Sequence, residues 1–527
     1  MHRISDDVLV WIYLATLVTV AIYGFHRYIL VYLYMKHRHN GYKPKGQFAE
    51  LPRVTVQLPM FNEDFVAERI IDAACRIDYP KDKIEIQVLD DSTDHSKEIA
   101  QKACEKWIAA GHDVKFIHRV NRVGYKAGAL AEGLKQASGE FIIIFDADFV
   151  PPCDILYNVM DYFTDEKVGM VQVRWDHLNR DASLLTQGQA IFLDGHFVIE
   201  HTARNRSGRF MHFNGTAGAW RRKTIDDAGG WEHDTLTEDL DLSYRAQMKG
   251  WQFVYLPQFC APAELPPEMI GFKQQAHRWT KGSCQTAIKL LPRVLRSKHL
   301  PLRIKTEAFF HLTNTIVYVL MVALTIMMYP AFLSFYSPLR VHFSTWGQYT
   351  FNATLFILAT CSASTFFVVG QSELLGPQAG WKAILYMPFL MALGVGVSLN
   401  NAKAVVEAIW GAIRRKPSEF IRTQKYGVTG STRQTWRSAS VWTLKRLSLP
   451  IIEISFGFYM SAWIAFSLLW RFCLQSVPFL IIFAGGYFYV GFNSLHALYK
   501  MQKLAYAREA EAEAAQTAVE AIEPLST

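Results

Sequence analysis

The chain has 527 residues, of which 50% are hydrophobic and only 19% are charged, and its formal net charge at neutral pH is +8. This composition is too apolar for an intrinsically disordered protein, and the length exceeds that of one small domain. Because soluble domains carry roughly 25% charged residues, the low charge content indicates that part of the chain lies in a lipid bilayer.

Uncharged apolar runs lie at the two ends of the chain. Most of them approach or exceed the roughly 20 residues that a helix needs to cross a bilayer. They occupy 8–25, 308–339, 351–371, 383–402, 454–470 and 474–499. The first run has no small-residue cleavage site and is followed by Lys36 and Arg38, so we interpret residues 1–35 as a retained transmembrane anchor rather than a signal peptide.

The other predicted boundaries follow from the changes in composition along the chain. We expect a large water-facing domain at 51–270, an interfacial region at 271–305, membrane helices at 308–402, a basic loop at 403–446, a transmembrane hairpin at 450–499, and a tail at 500–527 that is disordered or a frayed helix.

The orientation in the membrane follows from the positive charge, because short loops rich in Lys and Arg stay on the cytoplasmic side. The 403–446 loop has ten basic and two acidic residues, and the segment after the anchor is also basic. Both ends of 308–402 are then cytoplasmic, so one of its three apolar runs does not cross. We expect that run to be 383–402, interfacial or re-entrant, because polar Asn400 and Asn401 and the charged Lys403 follow directly.

Within the water-facing domain, β-rich runs alternate with helical stretches. The predicted strands are 53–58, 84–89, 114–118 and 141–145, and the predicted helices are 63–76, 96–110 and 126–137. This alternation predicts an α/β sheet covered by helices. Ligands of such sheets bind beyond the carboxyl ends of the strands.

Polar clusters follow three of the predicted strands. They are Asn62-Glu63, Asp90-Asp91 and Asp146-Ala147-Asp148. Turn formation and helix capping explain such residues singly, but not their recurrence at successive strand ends. The two carboxylates of Asp146 and Asp148 could share a Mg²⁺ or Mn²⁺ ion, which prefers oxygen ligands and bridges phosphates. No P-loop motif is present, so an ATPase has no support.

Two further clusters lie later in the chain. Residues 234–242 (DTLTEDLDL) read as a loop entering a helix, for which capping and the helix dipole are the ordinary explanation. Residues 274–279 (QQAHRW) are equally typical of a basic interfacial helix anchored by Trp. The seven cysteines form no Cys-x-x-Cys pair and no His stands at ligand spacing, which argues against structural zinc and a disulfide framework.

In combination, these clusters resemble the D, D-x-D, [TE]-[ED]-D, Q-x-x-R-W signature of the family 2 processive glycosyltransferases, the cellulose synthase superfamily. The matching residues, in chain order, are Asp91, Asp146, Asp148, Thr237, Glu238, Asp239, Gln275, Arg278 and Trp279. VQLPMFNE (56–63), IFDADF (144–149) and FNGTAGAWR (213–221) are similar to the plant cellulose synthase-like A and C proteins. The resemblance implies a GT-A-type α/β domain with a Rossmann-like mixed sheet, placed between an N-terminal transmembrane helix and a C-terminal helical membrane bundle.

Residues 420–425 (FIRTQK) resemble the F-x-V-T-x-K gating loop of cellulose synthases, with Arg422 where Val is usual. By composition alone the segment is an ordinary basic juxtamembrane loop. The resemblance implies that Phe420, Thr423 and Lys425 belong to a loop that folds over the bound nucleotide.

The resemblance also implies roles for the motif residues. Asp90, Asp91, Lys126, Asp146 and Arg278 would bind the nucleotide sugar, and Asp146 and Asp148 would hold the metal. Asp239 would be the general base, with Glu238 beside it in the catalytic motif. Gln275 and Trp279 would bind the acceptor.

The expected activity is therefore inverting transfer of a hexose from UDP-glucose or GDP-mannose to a growing β-linked polysaccharide (β-1,4-glucan, mannan or glucomannan), with translocation through the bilayer. A single-addition transferase with a lipid acceptor remains the alternative. We expect no nucleic-acid partner. The expected location is an integral multi-pass membrane protein with a cytoplasmic catalytic domain, in the plasma membrane if bacterial and in the Golgi if eukaryotic.

Overall fold

The computed structural model of the protein describes residues 4–335, 346–347, 350, 353–354, 357–414, 418–420, 422–423, 425, 427, 444–471 and 474–522. Much of the 403–446 loop and part of the 351–371 run lie outside the described residues, as do the last five residues of the tail.

The centre of the molecule is a seven-stranded mixed sheet. Its strands are β1 (Val54–Met60), β2 (Ile84–Asp90), β3 (Val114–His118), β4 (Phe141–Ile144), β5 (Val168–His177), β6 (Gly218–Arg221) and β7 (Gln252–Ala263). Their order is β3-β2-β1-β4-β6-β5-β7, in which β6 runs antiparallel to both of its neighbours. The prediction of an α/β sheet is confirmed, and the first four strands lie within about two residues of their predicted ends.

Helices cover both faces of this sheet. Those that follow the first strands are α2 (Ala67–Cys75), α3 (Ser96–Ala109), α4 (Tyr125–Gln136) and α5 (Ile155–Met160). Those of the second half are α6 (Leu184–Asp194), α7 (Thr202–Arg206), α8 (Arg222–Asp227) and α9 (Glu238–Met248), with a π-helix (Gly195–His201) between α6 and α7. Every residue of β2 and β4 is buried, as expected for central strands covered on both faces.

Long helices flank the sheet domain in sequence. They are α1 (Ile4–His37) before it, and α10 (Met269–Arg296), α11 (Leu302–Thr313), α12 (Ile316–Phe335), α13 (Ser362–Leu375), α14 (Pro377–Gly396), α15 (Ser398–Arg414), α16 (Leu444–Leu469) and α17 (Val477–Ile522) after it. Buried ion pairs connect these parts. Glu307 of α11 accepts from Arg204 of α7 at 2.9 Å, and His26 of α1 lies 3.0 Å from the same carboxylate.

A second buried ion pair connects α10 to the C-terminal helices. The Lys273 ammonium on α10 donates to both carboxylate oxygens of Glu453 on α16, at 2.7 and 2.8 Å, and to Ser494 Oγ on α17 at 3.2 Å. Asn400 on α15 donates to the carbonyl of the same lysine at 2.9 Å. All four residues are buried, so the pair is desolvated and its partners depend on one another.

Within the described residues, four helical stretches are long and apolar enough to cross a membrane: Val8–His37, Pro377–Arg414, Leu447–Leu469 and Leu474–Lys503. A fifth arises if Leu302–Thr313 and Ile316–Ala331, which meet at 55°, are counted as one span. The structure therefore has an apolar helix before the sheet domain and a helical region after it, as the sequence predicts.

The stretch we expected not to cross, 383–402, falls inside one of these four candidates. Its contacts nevertheless involve the sheet domain: Tyr386 donates to Gln187 Oε1 on α6 at 2.8 Å, and Leu390 packs in one cluster with Ile191. Its position relative to the bilayer stays a prediction. The tail is helical as far as Ile522, as part of α17, so the disordered form that we allowed for it does not apply to that stretch.

Candidate active site

The predicted site residues converge because three parallel strands end at one edge of the sheet. Met60 is paired with Asp90 in register, and Gln57 is paired with Ile144, so the residues after β1, β2 and β4 emerge side by side. A backbone hydrogen bond of 3.0 Å from Asp91 to Met60 continues this alignment. A cavity opens here, and twelve of the predicted site residues line it: Asp91, Lys126, Asp146, Asp148, Glu238, Asp239, Gln275, Arg278, Trp279, Phe420, Thr423 and Lys425.

Of the predicted pair at the end of β2, only Asp91 reaches the cavity. Its carboxylate accepts two hydrogen bonds from the Arg119 guanidinium, at 2.7 and 2.5 Å. Asp90 is the last residue of the strand, is fully buried, and lies 2.7 Å from His118 Nδ1 on β3. Asp90 is not among the residues that line the cavity, and its contact with the nucleotide stays a prediction.

Each carboxylate of the D-x-D motif is paired with a lysine. Lys126 Nζ donates to Asp146 Oδ1 at 2.5 Å, and Lys425 Nζ donates to Asp148 Oδ2 at 2.5 Å. Although burial alone would lower it, the carboxylates of Asp146 and Glu238 raise the pKa of Lys126, which keeps this ammonium charged. The two carboxylates for which the sequence predicts a divalent ion are therefore each paired with a lysine ammonium in this structure.

The predicted base lies at the start of α9. Burial, and next the negative charge of Glu238, raise the pKa of Asp239 to about 7, while burial also raises the pKa of Glu238. Asp239 Oδ1 accepts from the Leu240 backbone N–H at 2.7 Å, as a carboxylate at a helix N-terminus does. A carboxyl group with a pKa near neutrality is suited to take up a proton in a reaction at physiological pH.

The acceptor-side residues come from α10. Its residues at three-residue and four-residue spacing share one face, which brings Gln275, Arg278 and Trp279 to the cavity together. The Arg278 guanidinium lies 4.8 Å from the centre of the Phe420 ring, a cation–π distance. Burial lowers the pKa of Arg278, against the opposing effect of Asp146 and Glu238.

The described residues of the 420–425 loop line this cavity. The Phe420 ring stacks on Tyr125 with centroids 5.6 Å apart. Thr423 is buried, and its hydroxyl has no hydrogen-bond partner among the described residues. Arg422, the residue that departs from the usual loop pattern, forms an ion pair of 2.7 Å with Glu63, whose pKa burial raises to about 7.

Several cavity residues were not given roles by the sequence reasoning. Arg122 lies over the Phe61 ring at 3.2 Å, and both line the cavity. Asn214 and Gly215 also line it, and the Gly215 carbonyl accepts from Lys126 Nζ at 2.8 Å. The available signal was the Asn-Gly pair within FNGTAGAWR, because such a pair is typical of backbone with positive φ, and Gly215 has φ +81°.

Gly215 needs to be glycine for a second reason. A Cβ at this position would lie 2.9 Å from Asp239 Oδ2 and 3.3 Å from Lys126 Nζ. The backbone therefore approaches the base and the lysine more closely than any other residue would permit.

Comparison with known proteins agrees with this geometry. Residues 52–282 match the family described as glycosyltransferase like family 2. Glucomannan 4-beta-mannosyltransferase 7 of Arabidopsis thaliana is 33% identical over 420 residues, which cover 78% of this chain and 71% of that protein. Probable glucomannan 4-beta-mannosyltransferase 11 of Oryza sativa subsp. japonica is 44% identical over 252 residues, and the alignment spans 44% of its length.

Among solved structures, the mannosyltransferase PcManGT from Pyrobaculum calidifontis, determined in complex with GDP-Man and Mn²⁺, is 20% identical with a TM-score of 0.49. It covers 75% of this chain, which in turn covers 98% of that one. From the long alignment to the Arabidopsis protein and the match of the sheet domain, the chain belongs to glycosyltransferase family 2, in the group of the plant glucomannan 4-beta-mannosyltransferases, the cellulose synthase-like A family.

Proposed function

We propose that this protein is a membrane-embedded inverting transferase that moves mannose from GDP-mannose to a growing β-1,4-linked mannan or glucomannan, with UDP-glucose as the other candidate donor. The plant relatives are glucomannan 4-beta-mannosyltransferases, which favours mannose as the transferred sugar. Most of those alignments span about half the length of the relative, so the donor is an inference for this chain.

One observation carries the proposal: two metal-type carboxylates, a buried base and a phosphate-binding arginine line a single cavity. Asp146 and Asp148 lie on the strand side of this cavity, Asp239 lies at the start of α9, and Arg278 reaches it from α10. A nucleotide-diphosphate sugar requires this combination, because negative charge develops on the leaving diphosphate while the acceptor hydroxyl loses its proton.

We assign donor binding to Asp91, Lys126 and Arg278. Asp91 and Phe61 follow neighbouring strands and both line the cavity, a combination of carboxylate and aromatic ring that suits a nucleoside. Lys126 and Arg278 supply the positive charges that a diphosphate needs, and the planar guanidinium can bind two phosphate oxygens at once. Both cations are partly buried within the acidic site, so solvent screens their charges less than it screens charges at the surface.

The D-x-D carboxylates fit a divalent cation. Asp146 and Asp148 offer hard oxygen donors. Each carboxylate binds a lysine ammonium, so each already interacts with a positive charge. When Mg²⁺ or Mn²⁺ is bound, the ion would neutralise charge on the departing diphosphate.

In the chemical step, Asp239 removes the proton from the acceptor hydroxyl as that oxygen attacks the anomeric carbon from the face opposite the diphosphate. The bond from the anomeric carbon to the phosphate oxygen breaks, and an α-linked donor becomes a β-linked product. Trp279 offers an aromatic face for the terminal acceptor sugar, with Gln275 beside it to hydrogen-bond a hydroxyl.

The 420–425 loop is proposed as the lid of this site. Lys425 is paired with Asp148, and Arg422 is paired with Glu63. Donor and metal binding to Asp148 would release Lys425, which then becomes available for the phosphates. A lid of this kind excludes water from a reaction in which water competes with the sugar hydroxyl.

Translocation of the product is part of the proposal. The helix α10, which carries the acceptor-side residues, packs against α15 and α17 and is tied to α16 through Lys273 and Glu453. A product leaving the acceptor end therefore meets the apolar helices directly, which a soluble transferase would not require.

The test is to incubate purified membranes containing the protein with single sugar nucleotides and to measure the size of the product. We expect incorporation from GDP-mannose into material that an endo-β-mannanase shortens progressively, and no incorporation by Asp239→Asn. A product with one added sugar that extracts with lipid would identify the single-addition alternative. Incorporation from UDP-glucose but not from GDP-mannose would identify UDP-glucose as the donor.

The orientation is tested by cysteine labelling in sealed cells with a membrane-impermeant reagent. The suitable positions, Ser431 and Ser337, lie outside the described residues. We expect protection at 431 and labelling at 337, because the basic 403–446 loop is predicted to be cytoplasmic. Labelling of 431 from outside would contradict both the orientation and the lid.

A further inference from the structure

Three histidines that are distant from one another in sequence meet beside the active site. His196 and His201 lie five residues apart on the π-helix, where such a pair shares one face, and His212 approaches from the loop after α7. Their ring centroids are 4.4 to 5.4 Å apart. His201 is fully buried, and the other two are partly exposed.

All three rings bind the side-chain amide of Asn214. Its Nδ2 lies 3.1 Å from His196 Nε2 and 3.2 Å from His212 Nε2, and its Oδ1 lies 2.6 Å from His201 Nε2. We call these four residues the histidine cage. An amide nitrogen has two hydrogens to donate, so the arrangement uses both of its N–H groups as well as its oxygen.

These contacts determine the tautomer of each ring. His196 and His212 accept at Nε2 and so carry their proton at Nδ1, and His196 donates that proton to Glu200 Oε2 at 2.9 Å. His201 donates from Nε2. Burial lowers the pKa of His201 and His212 well below its usual value, in agreement with neutral rings.

A transition-metal site is the obvious other use of three histidines, whose ligand atoms lie within 4.8 Å of one another. The amide of Asn214, however, occupies the point on which the three Nε2 atoms converge, and it satisfies them all. The cage is therefore complete without an ion.

The cage is joined to the active site through the backbone. Asn214 precedes Gly215, whose carbonyl accepts from Lys126 and which lies so near Asp239 that a Cβ at this position would be 2.9 Å from Asp239 Oδ2. On the other side, the Asn214 backbone N–H donates to Gln172 Oε1 at 3.1 Å. The Asn214 side chain is held by three rings and its backbone N–H by Gln172, and these contacts restrain the backbone that enters Gly215.

We propose that His196, His201 and His212 are positioning residues that act through Asn214 to fix the Gly215 carbonyl, and thereby the placement of Lys126 and Asp239 for glycosyl transfer. The expected effect on kcat rests on the proposed function, in which Lys126 binds the diphosphate and Asp239 takes the proton of the acceptor.

The first test removes one hydrogen bond of the cage. His201→Leu deletes the donor to Asn214 Oδ1, whereas His201→Gln places an amide N–H near the position of Nε2. We expect kcat of His201→Leu to fall about ten- to a hundredfold, the usual cost of a small misplacement of reacting groups, with a smaller change in the KM for the donor. His201→Gln should recover most of the loss.

His311→Gln is the matched control. His311 lies in the same buried region, with its ring 4.9 Å from that of His212, but it binds Tyr244 and has no hydrogen bond to Asn214. Its kcat should stay within about twofold of wild type.

The second test uses Asn214→Asp, which keeps the shape but replaces the N–H donor with a carboxylate oxygen. His212 can shift its proton to Nε2, because its Nδ1 has no partner among the described residues. His196 cannot do so without losing its bond to Glu200, so its Nε2 lone pair then faces a carboxylate oxygen. The kcat of the variant should therefore fall below that of wild type, because two acceptors are left facing each other.

Other charged and titratable groups near the cage are the same in the variant and in wild type, so the ratio of rates isolates the change at position 214. These groups are Arg27, Glu200, Arg204, Tyr255, Glu307 and His311.

Backbone hydrogen exchange of residues 213–217 in the full chain gives a measurement that does not depend on turnover. Exchange should rise in His201→Leu and stay at the wild-type level in His201→Gln and His311→Gln. Exchange at the wild-type level in His201→Leu would show that the histidine cage does not restrain this loop. Raised exchange with an unchanged kcat would show that the restraint does not position the reacting groups.

Bound Zn²⁺ or Ni²⁺ in metal analysis of the purified protein, lost in His201→Leu, would also overturn the cage, in favour of a metal site. If the wild-type protein transfers no sugar, the proposed function fails, while the exchange measurement still decides whether the cage fixes the loop.

Discussion

The pH dependence of transfer follows directly from the environment of Asp239. Its carboxyl group is buried and next to Glu238, so its pKa is raised to about 7, and a general base works only when it is ionised. At pH 6 about a tenth of the enzyme would hold the ionised base, and at pH 8 about nine tenths, so kcat/KM should rise roughly tenfold between these values.

Two variants should move this rise in opposite directions. Glu238→Gln removes the negative charge that raises the pKa of Asp239, so its rise should occur at lower pH. Lys126→Met removes the positive charge that lowers it, so its rise should occur at higher pH. Both variants lose rate for other reasons as well, and the comparison therefore uses the midpoint of each profile rather than its height.

The assay is the initial rate of nucleoside diphosphate release at low donor concentration, with the acceptor in excess, between about pH 5.5 and pH 9. Asp239→Asn should lose about a hundredfold or more at every pH, because the amide cannot take up the proton. A flat profile, or midpoints of the two variants that move in the same direction, would refute the assignment of Asp239 as the base.

Chelation should abolish transfer and Mg²⁺ or Mn²⁺ should restore it, while Asp148→Ala should weaken metal-dependent nucleotide binding; full activity in excess chelator would contradict the metal site. Lys425→Ala and Thr423→Ala should reduce polymer synthesis by about tenfold or more without lowering the thermal midpoint, because a lid contributes contacts only with substrate bound; an equal loss of stability would indicate a structural role. Phe141→Ala should destabilise the sheet domain by about 3–5 kcal/mol in denaturant unfolding, because this fully buried ring packs 4.6 Å from Phe163; a loss below 1 kcal/mol would contradict the core assignment.

The strands and the acidic residues after them could be predicted from sequence because both are local. The run at 141–145 is a continuous apolar stretch, the run at 84–89 is rich in β-branched residues, and carboxylates follow both runs within three residues. Parallel pairing then places Asp91 and Asp146 at one edge without any further information. The run at 84–89 gave no sign that β2 extends to Asp90 or that this carboxylate lies beside His118 of the neighbouring strand.

The contacts that complete the site could not be predicted, because they connect parts of the chain that are far apart. The pairs of Lys425 with Asp148 and of Arg422 with Glu63 span more than 270 residues. The histidine cage combines a π-helix with a loop, and sequence spacing gave no sign that His196, His201 and His212 would meet at Asn214. Helical periodicity describes one element at a time, whereas these contacts depend on how elements pack.

The pair between Lys273 and Glu453 limits how this enzyme can be recombined with its relatives. A chimera that exchanges the sheet domain and α10 but keeps the C-terminal helices would retain only one member of the pair, unless the donor protein has the same residue. A single buried charge left in this way costs about 3–5 kcal/mol, far more than the pair contributes when intact. In a chimera made to alter sugar specificity, the junction should therefore lie between β7 and α10. Gln275, Arg278 and Trp279 then stay with the C-terminal helices against which α10 packs.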